Sequence, residues 1–94
     1  MDSYRVIYKR HAIERMKQRK IREETVECAL SSGETIKVYA DDTPYPSELI
    51  LYWDGLRPLH IVVATDFVDR VKYIVTVYDP YQNEWIGDFR RKKP

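Results

Sequence analysis

A chain of 94 residues with 44% hydrophobic and 33% charged content is long enough for one hydrophobic core and too apolar to stay disordered. Its single cysteine, Cys28, excludes an internal disulfide and every multi-cysteine metal cluster. No apolar run approaches the ~20 residues of a membrane span, and Met1-Asp2-Ser3-Tyr4-Arg5 has no signal-peptide core, so a cytoplasmic protein without membrane contact is expected. The formal net charge of +1 hides a segregation. Residues 9–22 hold seven cations against Glu14, a net +6, and residues 23–54 hold eight acids against Lys37, a net −7. Opposite poles of this kind suit a polyanion at one end and a basic partner at the other.

Tyr4 to Tyr8 alternates like a short strand. From about His11 to Lys20, Ala12, Ile13 and Met16 share one side of an amphipathic helix. His11, Arg15 and Arg19 recur every four residues, a stripe covering roughly 12 Å that lies about 100° from the apolar centre and flanks the core. A second helix, about Glu23 to Ser32, begins with two acids at the positive end of its dipole and stops at Gly33, read as a left-handed cap. Arg22 is a poor N-cap, but Ile21 and Val26 are spaced as a hydrophobic staple. From Glu34 the period becomes two, with strands at Thr35–Tyr39, Glu48–Trp53, Leu59–Thr65 and Val71–Tyr78 and a hairpin turn at Asp54-Gly55. The order predicts an α+β domain over residues 1–94: an N-terminal strand and a helical hairpin packed on one face of a four- to five-stranded antiparallel sheet. Residues 86–94 form a basic tail.

Setting Thr65 opposite Val71 places Leu59 and Ile61 on the helix side with Val75 and Val77, and Leu49, Leu51 and Trp53 beside them. The open face then carries Glu48, Tyr52, His60, Lys72, Thr76 and Tyr78, with Ile50, Val62, Ala64 and Ile74 between. His60 sits across from Thr76 and diagonal to Tyr78. Trp85 and Phe89 need cover, which the apolar part of this face supplies, bringing the tail arginines near His60.

His11-Ala12-x2-Arg15-x3-Arg19, the apolar second helix ending at Gly33, Pro58-Leu59-His60-Ile61-Val62-Val63, Val75-Thr76-Val77-Tyr78 and Trp85 together resemble a small prokaryotic family known only as a domain of unknown function. That family is distantly similar to the RelE/ParE and BrnT group of toxin proteins. The resemblance implies a RelE-like fold and a toxin-type, metal-independent endoribonuclease of a toxin-antitoxin system, with RNA on the open sheet face and a small antitoxin protein as partner. Only the location carries over, and it falls on His60, Thr76 and Tyr78.

From the residues themselves, His60 is a candidate general acid or base, with His11, Tyr78 and Thr76 beside it in catalysis and Arg15, Arg19, Arg90 and Arg91 as nucleic-acid contacts. The competing readings are a partly buried histidine bonded to Thr76 or to a loop carbonyl, and Arg15 and Arg19 on a solvated helix face or bridged to Glu23 and Glu27. Two histidines far apart in sequence make no metal site, and no cofactor is expected. Besides the nuclease, two readings stay open: a non-catalytic nucleic-acid- or protein-binding module, and a homodimer that covers the open face.

Overall fold

The computed structural model describes residues 3–80 and 84–93. Strand β1 (Arg5–Tyr8) leads into helices α1 (Arg10–Arg19) and α2 (Glu23–Ser32), followed by strands β2 (Glu34–Tyr39), β3 (Ser47–Asp54), β4 (Arg57–Asp66) and β5 (Val71–Tyr78). The five strands form one sheet in the order β1-β5-β4-β3-β2. Between the helices, Lys20 adopts a left-handed conformation (φ 56°) and Ile21 N–H reaches the Met16 carbonyl at 2.8 Å, closing α1. Ile21 and Val26 are both buried, as their staple spacing requires.

The α+β order is the predicted one, but the sheet is mixed. Strand β1 runs parallel to β5, from Arg5 opposite Val71 to Tyr8 opposite Ile74, which corrects the expectation of antiparallel pairing throughout. Tight hairpins force β3, β4 and β5 to alternate in direction, whereas β1 reaches β5 from the far end of the chain under no such constraint. Helix α1 packs back over β5 and α2 over β3. Ala12, Met16, Val26 and Ala29 thereby meet Ile50, Leu59, Ile61, Val63, Ile74 and Val77 in the main core.

Strand β3 takes the opposite phase from the one expected. Ile50 and Tyr52 face the helices, while Leu49 and Leu51 point to the other side and Trp53 lies at its exposed end. The run Leu49-Ile50-Leu51 is apolar on both alternations, so periodicity carries no phase information here. The two-residue loop Gly55-Leu56 decides it by setting Asp54 opposite Arg57 and hence Leu51 opposite His60. The β4–β5 register differs too. Asp66, not Thr65, pairs with Val71, and a bulge between Val62 and Val63 lets β5 carry an extra residue. Ile74 instead of Val75 therefore joins the core, Lys72 moves to the helix side opposite Thr65, and His60 faces Tyr78 directly rather than Thr76.

The second face is not open along its whole length. Residues 84–93 fold into a small hairpin, with Ile86 N–H on the Arg91 carbonyl and Lys93 N–H on the Glu84 carbonyl, each 2.8 Å. It lays Trp85 and Phe89 over Leu49 and Leu51 beside Val62 and Tyr78. The basic tail is thus folded onto the sheet through residue 93; Pro94 lies outside the described residues.

Gly33 is extended (φ −73°) rather than left-handed, so the expected cap geometry is corrected. A different constraint holds the glycine there. A Cβ at position 33 would meet Ile50 Cγ2 at 2.4 Å and the Ala29 carbonyl oxygen at 2.5 Å, because α2 ends directly against β3. Gly33→Ala is expected to cost about 1–3 kcal/mol through overpacking, whereas Gly87→Ala, with open space at its Cβ, should stay within about 0.5 kcal/mol of the parent. Denaturant unfolding of the two variants side by side checks this, and equal losses would contradict the close approach.

Candidate functional site

The four-residue repeat on α1 places His11, Arg15 and Arg19 along the flank of the helix that faces the end of β5. They line an open cleft of about 350 Å³ together with Thr76, Tyr78 and Glu84. His11 is exposed and accepts a hydrogen bond at Nε2 from Arg15 Nε, 3.4 Å away. Five of the residues singled out from sequence thus share one cleft.

Arg19 does not stand in solvent as the stripe geometry alone implies. Its guanidinium meets Asp79 Oδ2 at 3.3 Å, a partner that neither the phosphate reading nor the competing bridge to Glu23 and Glu27 named. Arg57 grips the same carboxylate from the other side, with Nε 2.8 Å from Oδ1 and an NH2 group 3.0 Å from Oδ2. Arg57 also donates to the Arg19 backbone carbonyl at 3.0 Å, at the negative end of the α1 dipole. Arg57 first, and Arg19 second, hold Asp79 below the usual carboxylate range. Among the described residues the cluster sets two cations on one carboxylate, and it fixes the last turn of α1 against the ends of β4 and β5.

His60 lies behind the cleft, not in it. It is 0% exposed, with the Trp85 ring 4.4 Å away and perpendicular to it. Nε2 is 2.9 Å from the Phe89 carbonyl oxygen and Nδ1 is 3.3 Å from the Tyr78 hydroxyl. A carbonyl can only accept, so Nε2 carries the proton. Burial pushes the imidazole below the ordinary histidine value, only partly countered by the Phe89 carbonyl. The neutral ring therefore presents Nδ1 as acceptor, and Tyr78 O–H donates to it. Burial, with Tyr39 and Glu84 nearby, raises the Tyr78 phenol, which stays protonated. Its one proton is committed to His60, and its oxygen is left to accept.

Tyr78 also lines a second groove of about 330 Å³, with Lys37, Tyr39, Trp85, Arg90, Arg91 and Lys92 among its walls. Arg90 is engaged there rather than free, since Nε lies 2.9 and 3.0 Å from the two Glu34 carboxylate oxygens and NH1 lies 3.6 Å from Asp88. The structure brings Arg91 to the groove and not to the α1 cleft. Asp79, Arg57 and Glu84 were missed from sequence. Asp79 and Arg57 are strand-end charges whose meeting follows only from the β4–β5 pairing, and Glu84 carries no local signal. Among the described residues, no three His, Cys, Asp or Glu side chains converge as a metal would require.

The lowered His60 value has a stability consequence of definite sign. Between that value and 6.5 the unfolded chain binds more protons than the folded one, so His60's contribution is complete above about pH 6.5 and is lost as pH falls. The depressed carboxylates of Asp66, Asp79 and Asp88 lose theirs only further down, below 3.8. Unfolding free energy should therefore decline from about pH 7 to about pH 5 in the parent and far less in His60→Gln, measured by denaturant titration. An unchanged slope in the variant would show that His60 is not the group responsible.

No curated protein and no solved structure matches the chain significantly. A family profile does match, over residues 8–79, and this stretch holds His11, Arg15, Arg19, Arg57, His60, Thr76, Tyr78 and Asp79 but not the hairpin that covers His60. With that match over most of its length, the chain belongs to the family described as Domain of unknown function (DUF4258).

Proposed function

We propose that the cleft between α1 and the end of β5 binds an RNA phosphate and cuts the backbone without a metal, as a toxin-type endoribonuclease does. The observation that carries this reading is the convergence of His11, Arg15, Arg19, Thr76 and Tyr78 in one open cleft, joined by Glu84. Cleavage of this kind forms a bond from the ribose 2′-oxygen to phosphorus and breaks the bond to the 5′-oxygen, leaving a 2′,3′-cyclic phosphate. A base takes the 2′-proton and an acid returns one to the leaving oxygen. Glu84 and His11 fill these two roles, Arg15 and Arg19 hold the phosphate oxygens, and Thr76 donates a hydroxyl. Tyr78 accepts from a ribose hydroxyl, because its own proton is given to His60. His60 is then a positioning residue that fixes Tyr78, and the proton transfer assigned to it from sequence passes to His11.

The finer likeness to the RelE/ParE and BrnT group, and with it an antitoxin protein as partner, belongs to this proposal and is supported by the order strand, two helices, sheet. A non-catalytic binding module is the second reading. It is favoured by the sealing of His60 and by the sharing of Arg19 with Asp79, which leave one exposed histidine in the cleft.

Incubating the protein with total RNA in excess chelator separates the two. The nuclease reading expects cleavage with cyclic phosphate ends and a loss of roughly 10²–10⁴ in rate in His11→Ala. Cleavage no faster than that of His11→Ala would overturn it. If RNA binds without being cut, Arg15→Ala should weaken binding at all sequences and reduce the salt slope by about 0.7, the share of one single-strand phosphate.

A further inference from the structure

On the other flank of α1, away from the cleft, Tyr8, Ile13, Met16 and Ile21 line an apolar groove of about 510 Å³. Ile13 is 43% exposed at its lip. Lys17, Lys20 and Arg22, at the end of α1 and in the turn, line it together with Glu23, and the exposed Glu24 and Glu27 follow on α2. All three glutamates act on Tyr8, whose phenol is pushed up to about 12 by burial first and then by Glu23, Glu27 and Glu24. Its hydroxyl is buried without a hydrogen-bond partner among the described residues. None of the six charged residues forms a salt bridge among the described residues, although three are basic and three acidic.

We propose that this groove is the two-fold interface of a homodimer, in which the Lys17, Lys20, Arg22 edge of each copy lies against the Glu23, Glu24, Glu27 edge of the other. The argument is one of self-complementarity. An isologous interface uses the same patch twice, so a charged patch suits it only if rotation by half a turn brings opposite signs together. Three cations at the end of α1 and in the turn, followed by three carboxylates on the first turns of α2, supply both signs on one patch. A foreign acidic or basic peptide would leave one of the two edges facing a like charge. Pairing across the axis also covers Ile13. The reserved apolar face is thus the helical one; the sheet face over Leu49 and Leu51 is already covered by Trp85 and Phe89.

Sedimentation equilibrium of the full chain over a range of concentrations tests this, with circular dichroism confirming that each variant is folded. The parent should dimerise, more weakly as salt is raised, and Ile13→Glu should raise the dissociation constant about tenfold or more. K17E/R22E and E24K/E27K should each fail to self-associate, while an equimolar mixture of the two regains a dimer of opposite charges. A parent that stays monomeric at every concentration overturns the proposal. So does a dimer indifferent to Ile13→Glu, which would use another face, or a mixture that stays monomeric, which would point to a different occupant of the groove.

Discussion

Strand β4 lies in the middle of the sheet with neighbours on both edges and apolar residues on both faces, and the placement of the other elements follows from covering them. Leu59, Ile61 and Val63 are essentially sealed beneath the helices, each burial stabilising by about 1.5–3 kcal/mol relative to exposure. The other side holds Val62 and His60; the hairpin carrying Trp85 and Phe89 covers it around His60, and Tyr45, stacked on Tyr73, flanks it beside Val62 and Ala64. His60 is a fully buried polar side chain in that second layer. It is tolerated because both ring nitrogens are satisfied, one by the Phe89 carbonyl and one by the Tyr78 hydroxyl, so the hairpin is tied to the sheet by a directional contact as well as by area.

The same arrangement sets the character of the cleft. His60 orients Tyr78 from behind, and the Arg57–Asp79–Arg19 cluster fixes the end of α1 beside it. Asp79 and Arg57 are about one-third exposed, so the cluster's value lies in geometry more than in stability, as solvent screens such pairs to around 1 kcal/mol or less. The result is a bonded wall with an exposed front, in which the exposed His11 and the partly exposed Arg15 face solvent. A ligand therefore meets preset acceptor and cation positions and has to order few side chains, which lowers the entropy cost of binding.

Helix α1 separates two chemistries by rotation about its axis. One flank carries the His11, Arg15, Arg19 stripe toward the sheet, the centre buries Ala12 and Met16, and the other flank exposes Ile13 beside Lys17 and Lys20. Binding on one flank leaves the other accessible. The basic pole seen in the composition is divided between the two flanks, with Arg15 and Arg19 in the cleft and Lys17, Lys20 and Arg22 at the groove, where Glu23 joins them.

The order of elements, the α1 stripe and the helix core positions other than Ile13, which is exposed, were legible in the sequence, because each depends on periodicities within a few residues. The requirement for glycine at position 33 was legible as well, though its reason was not: the residue admits the close approach of β3, which lies far along the chain, and not a left-handed turn. Tertiary structure alone decided the direction of β1 and the partner of Arg19, and the Gly55-Leu56 loop set the phase of β3. Leu49-Ile50-Leu51 is apolar on both faces and gave local patterning nothing to choose with. Arg19 and Asp79 are 60 residues apart in sequence, and they meet only because β5 ends where α1 does. The burial of His60 belongs in the same class. A lone histidine in a strand reads equally as a reacting group or a packed one until the segment that covers it is placed, and that placement is a long-range packing decision invisible to spacing.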